Sequence, residues 1–253
     1  MKKVRVIARL DIKNDFVIKG IHLEGLRKIG DPNIIAKEYY NQGVDEIIFM
    51  DAVAAYYDRN SLKEIIQNAC KEVFVPITVG GGIRTIADIQ NALDAGADKT
   101  AINTRAVSNP DFIKEASVVF GSQCIVCSID AKQIGTDKWE VYVDNGREPS
   151  GIDVVEWAKR VEDLGAGEIL LTSIDKEGTK KGFDINLCNS VADVVKIPVI
   201  CSGGAGSKED IAEVIANGNV DAVSLASILH YNLDKIGSIK NYLVEEHGIK
   251  TRL

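Results

Sequence analysis

Two aspartates in matching surroundings are the first residues to suggest chemistry. Asp11 closes the apolar run VRVIARLD and reads on as LDIK; Asp130 closes QCIVCSID and reads on as IDAK. Two carboxylates facing one another can divide proton donation from proton acceptance, provided that their environments separate their pKa values. A single strand-end aspartate would more simply cap the following loop. Two at equivalent places point to acid–base catalysis. Glycine supplies the second signal. Gly80, Gly81 and Gly82 end one apolar run and Gly203 and Gly204 end another, each just ahead of a helix start where backbone N–H groups attract anions. Asn103 and Thr104 close a further run, with Ala226 and Ser227 in the corresponding place on the last. One GGG says little, since glycine also relieves crowding in tight turns. The doubling predicts two phosphate cradles with an elongated, bisphosphorylated ligand between them. Lys19, in VIKG, would reach in as a flexible cation from the first loop, or else be a solvated loop lysine.

If Asp11 points inward, strand alternation turns Arg5, Ile7 and Arg9 inward with it. Glu46, Lys99 and Glu168 open other apolar runs, and with Arg5 they could form a ring of two positive and two negative charges at the opposite end. Buried charges persist only when paired. The competing expectation is four solvated residues at strand entrances.

These residues need a scaffold that repeats. Eight strands are predicted, at Val4 to Asp11, Glu46 to Asp51, Pro76 to Gly81, Lys99 to Thr104, Gln123 to Asp130, Glu168 to Ile174, Pro198 to Gly204 and Ala222 to Ser227. Helix-period segments lie between them, among them Asn33 to Gln42, Ser61 to Val73, Ile86 to Ala95, Asp153 to Leu164 and Lys208 to Asn217, several opened by Asp, Ser or Thr. Repeated βα units call for a parallel sheet. GVDEIIFMD at Gly43 resembles GAGEILLTSID at Gly165, and PITVGGGI at Pro76 resembles PVICSGGA at Pro198. The expected fold is therefore a (β/α)8 TIM barrel, one domain over 1–253, built from two duplicated (βα)4 half-barrels of about 1–122 and 123–253. An open doubly wound sheet is the rival, but such folds seldom carry a duplication on this scale. KWEVYVDNG reads as a small hairpin after the fifth strand, and GSIKNYLVEEHGIKTRL as a closing helix with a polar tail.

Composition narrows the partners. The 253 residues are 45% hydrophobic and 26% charged, with a formal net charge of −7, which argues against a nucleic-acid partner held by a basic field. No apolar stretch approaches the ~20 residues of a membrane span, and Arg5, Arg9 and Asp11 interrupt any signal-peptide core, so a cytoplasmic protein is expected. The five cysteines are an odd number, which makes a disulfide framework unexpected. The Cys124/Cys127 pair lies inside a strand-like run, with no second CxxC and no nearby histidine, which disfavours zinc or redox use. His22, His230 and His247 have no ligand spacing, and no metal site is expected.

Over essentially its whole length the chain resembles the HisF family, the cyclase subunits of imidazole glycerol phosphate synthase. The matching motifs are LDIK, VIKG, GDP at Gly30 to Pro32, TVGGGI, ADKTAINT, FGSQ, IDAK, GAGEILLTSID, EGTKKGFD and SGGAG. The resemblance implies that Asp11 and Asp130 are the general acid and base. Lys19, Gly81, Gly82, Asn103, Thr104, Thr172, Gly178, Gly203, Gly204, Ala226 and Ser227 would hold the substrate and its two phosphates. It also implies a glutaminase subunit docked on the barrel floor, with Asp98 at the docking surface. Ammonia would travel up the axis through a gate formed by Arg5, Glu46, Lys99 and Glu168. No metal or organic cofactor is implied.

Three features depart from that family. Arg9 stands where a small residue is usual, and would hold Asp11 ionised and narrow the ammonia path. The loop MDAVAAYYDRN brings Tyr56, Tyr57 and Arg59 towards the mouth, and Glu177 replaces an aspartate beside the second phosphate. These look like a paralogous branch that supplies nitrogen for acetamidino modification of bacterial surface sugars. Two further alternatives are the sister isomerase of histidine synthesis, which has no need of a charge gate, and a non-catalytic activator of a glutaminase, which has no use for opposed carboxylates.

Overall fold

The computed structural model describes residues 3–53 and 62–252. In chain order the elements are β1 (Arg5–Lys13), β2 (Phe16–Ile21), β3 (Glu24–Gly30), α1 (Pro32–Asn41), β4 (Glu46–Asp51), α2 (Lys63–Ala69), β5 (Ile77–Gly80), α3 (Ile86–Asp94), β6 (Lys99–Ile102), α4 (Thr104–Ser108) and α5 (Asp111–Phe120). The second half continues with β7 (Ile125–Gly135), β8 (Lys138–Val143), β9 (Glu148–Asp153), α6 (Val154–Asp163), β10 (Glu168–Ser173), α7 (Ile185–Ala192), β11 (Val199–Ser202), α8 (Lys208–Asn217), β12 (Ala222–Leu225), α9 (Ser227–His230) and α10 (Ile236–Glu245).

Eight of these strands pair in parallel in the cyclic order β1, β4, β5, β6, β7, β10, β11, β12, and β12 returns to β1. The sheet is a closed (β/α)8 barrel, as the repeat predicts. Two apolar clusters divide the interior. Ile7, Ile48, Met50, Ala101, Val126, Leu170, Ile200 and Ala222 fill the inside of the barrel. A larger cluster, including Phe49, Phe112 and Trp157, packs the outer strand faces against the helices. Strands buried on both faces must be apolar nearly throughout, which is why they read as continuous hydrophobic runs.

The duplication survives in local detail. Thr85 and Asp88 form a capping box at the start of α3, and Ser207 and Asp210 form the same box at the start of α8. Asp45, Asp98 and Asp221 each precede or open a strand on the floor, and their carboxylates accept the N–H groups of Val6, Ile77 and Val199. Two antiparallel additions rise above the mouth: β2 and β3 form a hairpin that extends β1, and β8 and β9 extend β7. The second occupies the segment predicted as a hairpin. The first was not foreseen, because Phe16 to Gly30 mixes charge and glycine without a clean alternation.

Cys188 of α7 and Cys201 of β11 are joined as a disulfide, with Cα atoms 6.4 Å apart, contrary to the expectation of unpaired cysteines. An odd count excludes complete pairing but not a single bond between neighbouring elements. Among the described residues no helix is long and apolar enough to cross a membrane.

The floor is closed by a buried lysine. Lys240 of α10 donates to Asp45 Oδ1 at 2.8 Å and to the carbonyls of Gly43 and Arg252, each at 2.6 Å. Removing one member of such a buried pair strands the other charge, at a cost of about 3–5 kcal/mol. Lys240→Met is therefore expected to lower the urea midpoint strongly. Adding Asp45→Asn to it should recover part of the loss, and additive losses would count against the pairing.

Candidate active site

The site is built at the C-terminal ends of the barrel strands, around a guanidinium inside the barrel. Arg9 Nε donates to Asp11 Oδ1 at 2.8 Å, and Arg9 Nη1 donates to Thr172 Oγ1 at 3.0 Å. Thr172 lies on β10, whose register sets it directly beside Asp130 of β7. Three strand steps separate β1 from β10 around the wall, so the Arg9 side chain crosses the lumen and carries its charge from one aspartate towards the other. Thr172, expected at the ligand, is fully buried and occupied with Arg9.

Both aspartates are buried, and their neighbours drive them apart. Burial opposes ionisation of Asp11, but the Arg9 guanidinium and then the Lys19 ammonium outweigh it and hold the carboxyl below its ordinary range. At Asp130 burial prevails. Arg9 and a hydrogen bond from Asn103 offset it only in part, the charges of Asp11 and Glu177 add to it, and the pKa is pushed up to about 6. Asn103 Nδ2 donates to Asp130 Oδ2 and to the Tyr142 carbonyl, both at 3.0 Å, which orients the carboxylate. The two pKa values are thus separated in the way that acid–base work by two carboxylates requires.

Arg9 also partitions the mouth. Asp130 and Arg9 line a cavity of about 280 Å³ together with Gly81, Gly82, Asn103 and Thr104. Asp11 lies behind Arg9 and borders a small space beneath the β2–β3 hairpin. The other predicted phosphate residues, Gly178, Gly203, Gly204, Ala226 and Ser227, line a third space of only about 20 Å³ beside Arg9, Lys19 and Glu177. Both cradles have the predicted backbone. Gly81 and Gly203 take φ of 87° and 98°, and a side chain there would run into the carbonyls of Asp51 and Ser173. Asn103 and Ala226, which precede α4 and α9, share one conformation, with φ, ψ of −122°, −87° and −131°, −78°.

Lys19 is not a flexible cation. It is 2% exposed, its ammonium is bonded to Glu177 and lies 4.0 Å from Asp11 Oδ2. Glu177 also accepts the Leu23 N–H, and its own carbonyl accepts that of His22, so the hairpin is fastened over this side of the mouth. Thr104 Oγ1 accepts the Asp144 N–H at 3.0 Å. Tyr56, Tyr57 and Arg59 lie outside the described residues.

At the floor, the four charges expected to gather do so. Arg5 meets Glu46 at 2.8 Å and Glu168 at 2.5 Å; Lys99 meets Glu46 at 3.0 Å and Glu168 at 2.9 Å. The result is a closed ring of alternating sign across the barrel axis. Burial opposes ionisation of Glu46, but Arg5 and Lys99 hold its carboxyl below the ordinary range. Asp98 is exposed, with one oxygen accepting the Ile77 N–H. Two arginines that line the cavity were not among the residues expected there, Arg84 and Arg105. Each follows a glycine or strand-end signal that was noticed, but nothing local shows that a loop arginine turns into a cavity.

A closed (β/α)8 barrel whose mouth holds two buried carboxylates with opposite pKa shifts belongs with the barrel enzymes. The chain belongs to the Histidine biosynthesis protein family, which matches residues 5–235. It is 57% identical over 210 residues, 83% of this chain and 99% of the relative, to the imidazole glycerol phosphate synthase subunit HisF of Legionella pneumophila.

A buried carboxyl whose folded pKa is about 6, against about 3.9 unfolded, adds stability that is fully present below pH ~4 and lost as pH rises through ~6. Asp130→Asn should therefore be more stable than the parent at pH 8, by on the order of 2 kcal/mol, with the difference vanishing near pH 4. His230, lowered by its burial to about 4, loses its contribution as pH falls through that value, but it is common to both proteins and cancels. Thermal melts of the two proteins across pH 4–8 are the measurement, and a pH-independent difference would refute the raised pKa.

Proposed function

We propose that this chain is the ammonia-using cyclase subunit of imidazole glycerol phosphate synthase. In this reading it converts a bisphosphorylated phosphoribulosyl-formimino aminoimidazole carboxamide ribonucleotide into imidazole glycerol phosphate and aminoimidazole carboxamide ribonucleotide. The observation that carries the proposal is the buried Asp11/Asp130 pair, driven to opposite protonation preferences between two glycine cradles. The 57% identity to a relative of that name supports it.

Ammonia would condense with the substrate's ketose carbonyl. Asp11, ionised, would accept protons from the adding nitrogen; Asp130, protonated in part near neutrality, would donate to the leaving oxygen and take the proton back during cyclisation and elimination. The glycine cradles would hold the two phosphates so that the reacting centre lies between the carboxylates. The partner would be a glutaminase subunit on the floor, next to exposed Asp98, delivering ammonia through the ring of Arg5, Glu46, Lys99 and Glu168. Above that ring the axis is lined by Ile7, Ile48, Val126, Leu170 and Ile200, surroundings that suit neutral NH3 and exclude ammonium. The expected setting is the cytoplasm.

One observation favours a second reading. The Arg9 bridge crosses the lumen and screens Asp11 from the larger cavity, which works against cyclisation over both carboxylates and favours a paralogue that supplies an intermediate for surface-sugar amidination.

Purified protein given ammonium and the bisphosphorylated ribonucleotide separates the two readings. Turnover is expected, and its absence would defeat the histidine-pathway reading. At constant free ammonia, kcat should fall as pH rises through ~6 and Asp130 loses its proton. Asp11→Asn and Asp130→Asn should each lower kcat by at least two orders of magnitude; full activity in either variant would remove the aspartate from the mechanism.

A further inference from the structure

The two cradles share a backbone but not their side chains. By position in the repeat, Arg84 corresponds to Gly206, and Arg105 to Ile228, which is fully buried. The first cradle therefore carries two guanidiniums that its counterpart lacks. Arg105 lies on α4, one residue beyond Thr104, and lines the 280 Å³ cavity. Its guanidinium sits over the Phe112 ring, 5.5 Å from the centroid, and its Nε is buried without a hydrogen-bond partner. Among the described residues, no carboxylate is within ion-pair distance of it. A partly desolvated guanidinium that pairs with no carboxylate among the described residues, beside a glycine turn, is a site for an incoming oxyanion, which a guanidinium can bind through two parallel hydrogen bonds.

The second cradle is in the opposite condition. Its free space of about 20 Å³ holds about one water. The cations that line it, Arg9 and Lys19, are already paired with Asp11 and Glu177. A phosphate can enter there only when the Lys19–Glu177 pair gives way and the β2–β3 hairpin shifts.

Resting on the phosphate reading above and extending it, we propose that Arg105 is the specificity-determining cation of the first cradle. A bisphosphorylated ligand is anchored there by one phosphate before the second cradle opens to the other. The first cradle offers Arg105, which pairs with no carboxylate among the described residues, whereas the second must break an ion pair to bare a cation.

Inorganic phosphate titrated into the full chain, followed through the backbone amide resonances of Gly82 and Gly204, tests this directly. The expected result is binding at Gly82 at least tenfold tighter than at Gly204. Arg105→Met should weaken the Gly82 site at least tenfold and leave Gly204 unchanged, while Arg105→Lys should recover part of the affinity. Circular dichroism melts check that each variant is folded. Equal affinity at the two glycines, or an unaltered Gly82 site in Arg105→Met, would overturn the proposal while leaving two phosphate cradles in place. No response at either glycine would overturn the cradle reading itself, and this one with it.

Discussion

A guanidinium held inside a barrel is the constraint to which the mouth of this protein is fitted. Arginine cannot shed its charge, and Arg9 is buried, so the groups around it must supply the compensation. Two cations, Arg9 and Lys19, meet two carboxylates close at hand, Asp11 and Glu177. Asp130 is the third carboxylate in the same enclosure. It has no cation of its own, and it is the one whose pKa rises. The opposite pKa shifts of the two aspartates thus follow from a charge count within a volume that water does not screen.

The opposite end of the barrel solves the same problem differently. Arg5 and Lys99 alternate with Glu46 and Glu168, so each charge has two partners of opposite sign and none is left over. The unbalanced cluster at the mouth instead raises the proton affinity of its spare carboxylate, Asp130. Between the two lies an apolar layer that keeps them electrically separate.

Duplication built both halves from one plan, and the mouth departs from that symmetry at a few side chains. The capping boxes at Thr85 and Ser207, the left-handed glycines at 81 and 203, and the conformations at Asn103 and Ala226 are shared. Arg105 against Ile228, and the Lys19–Glu177 pair at one cradle only, are not. A symmetrical cradle pair would accept a symmetrical ligand in either direction, and these differences give the mouth a polarity.

The closed barrel, its eight strands, the capped helices and the strand-end aspartates were legible in the chain itself, because each rests on short-range regularities: alternation, capping chemistry and a repeat along the sequence. The floor ring was one of two readings of the charged strand entrances, and the family resemblance rather than the spacing favoured it. What the chain alone left open were contacts between residues far apart in it. Lys19 and Glu177 are 158 positions apart, and only the docking of a hairpin with no clear alternation converts an apparently solvated lysine into a buried ion pair. Thr172 reads as a ligand residue until the barrel closes and Arg9 is found to reach it across the lumen. Local sequence determined which elements form and which faces they bury; the closing of the barrel decided which charges share a space too dry to screen them, and therefore which of two like aspartates binds its proton more tightly.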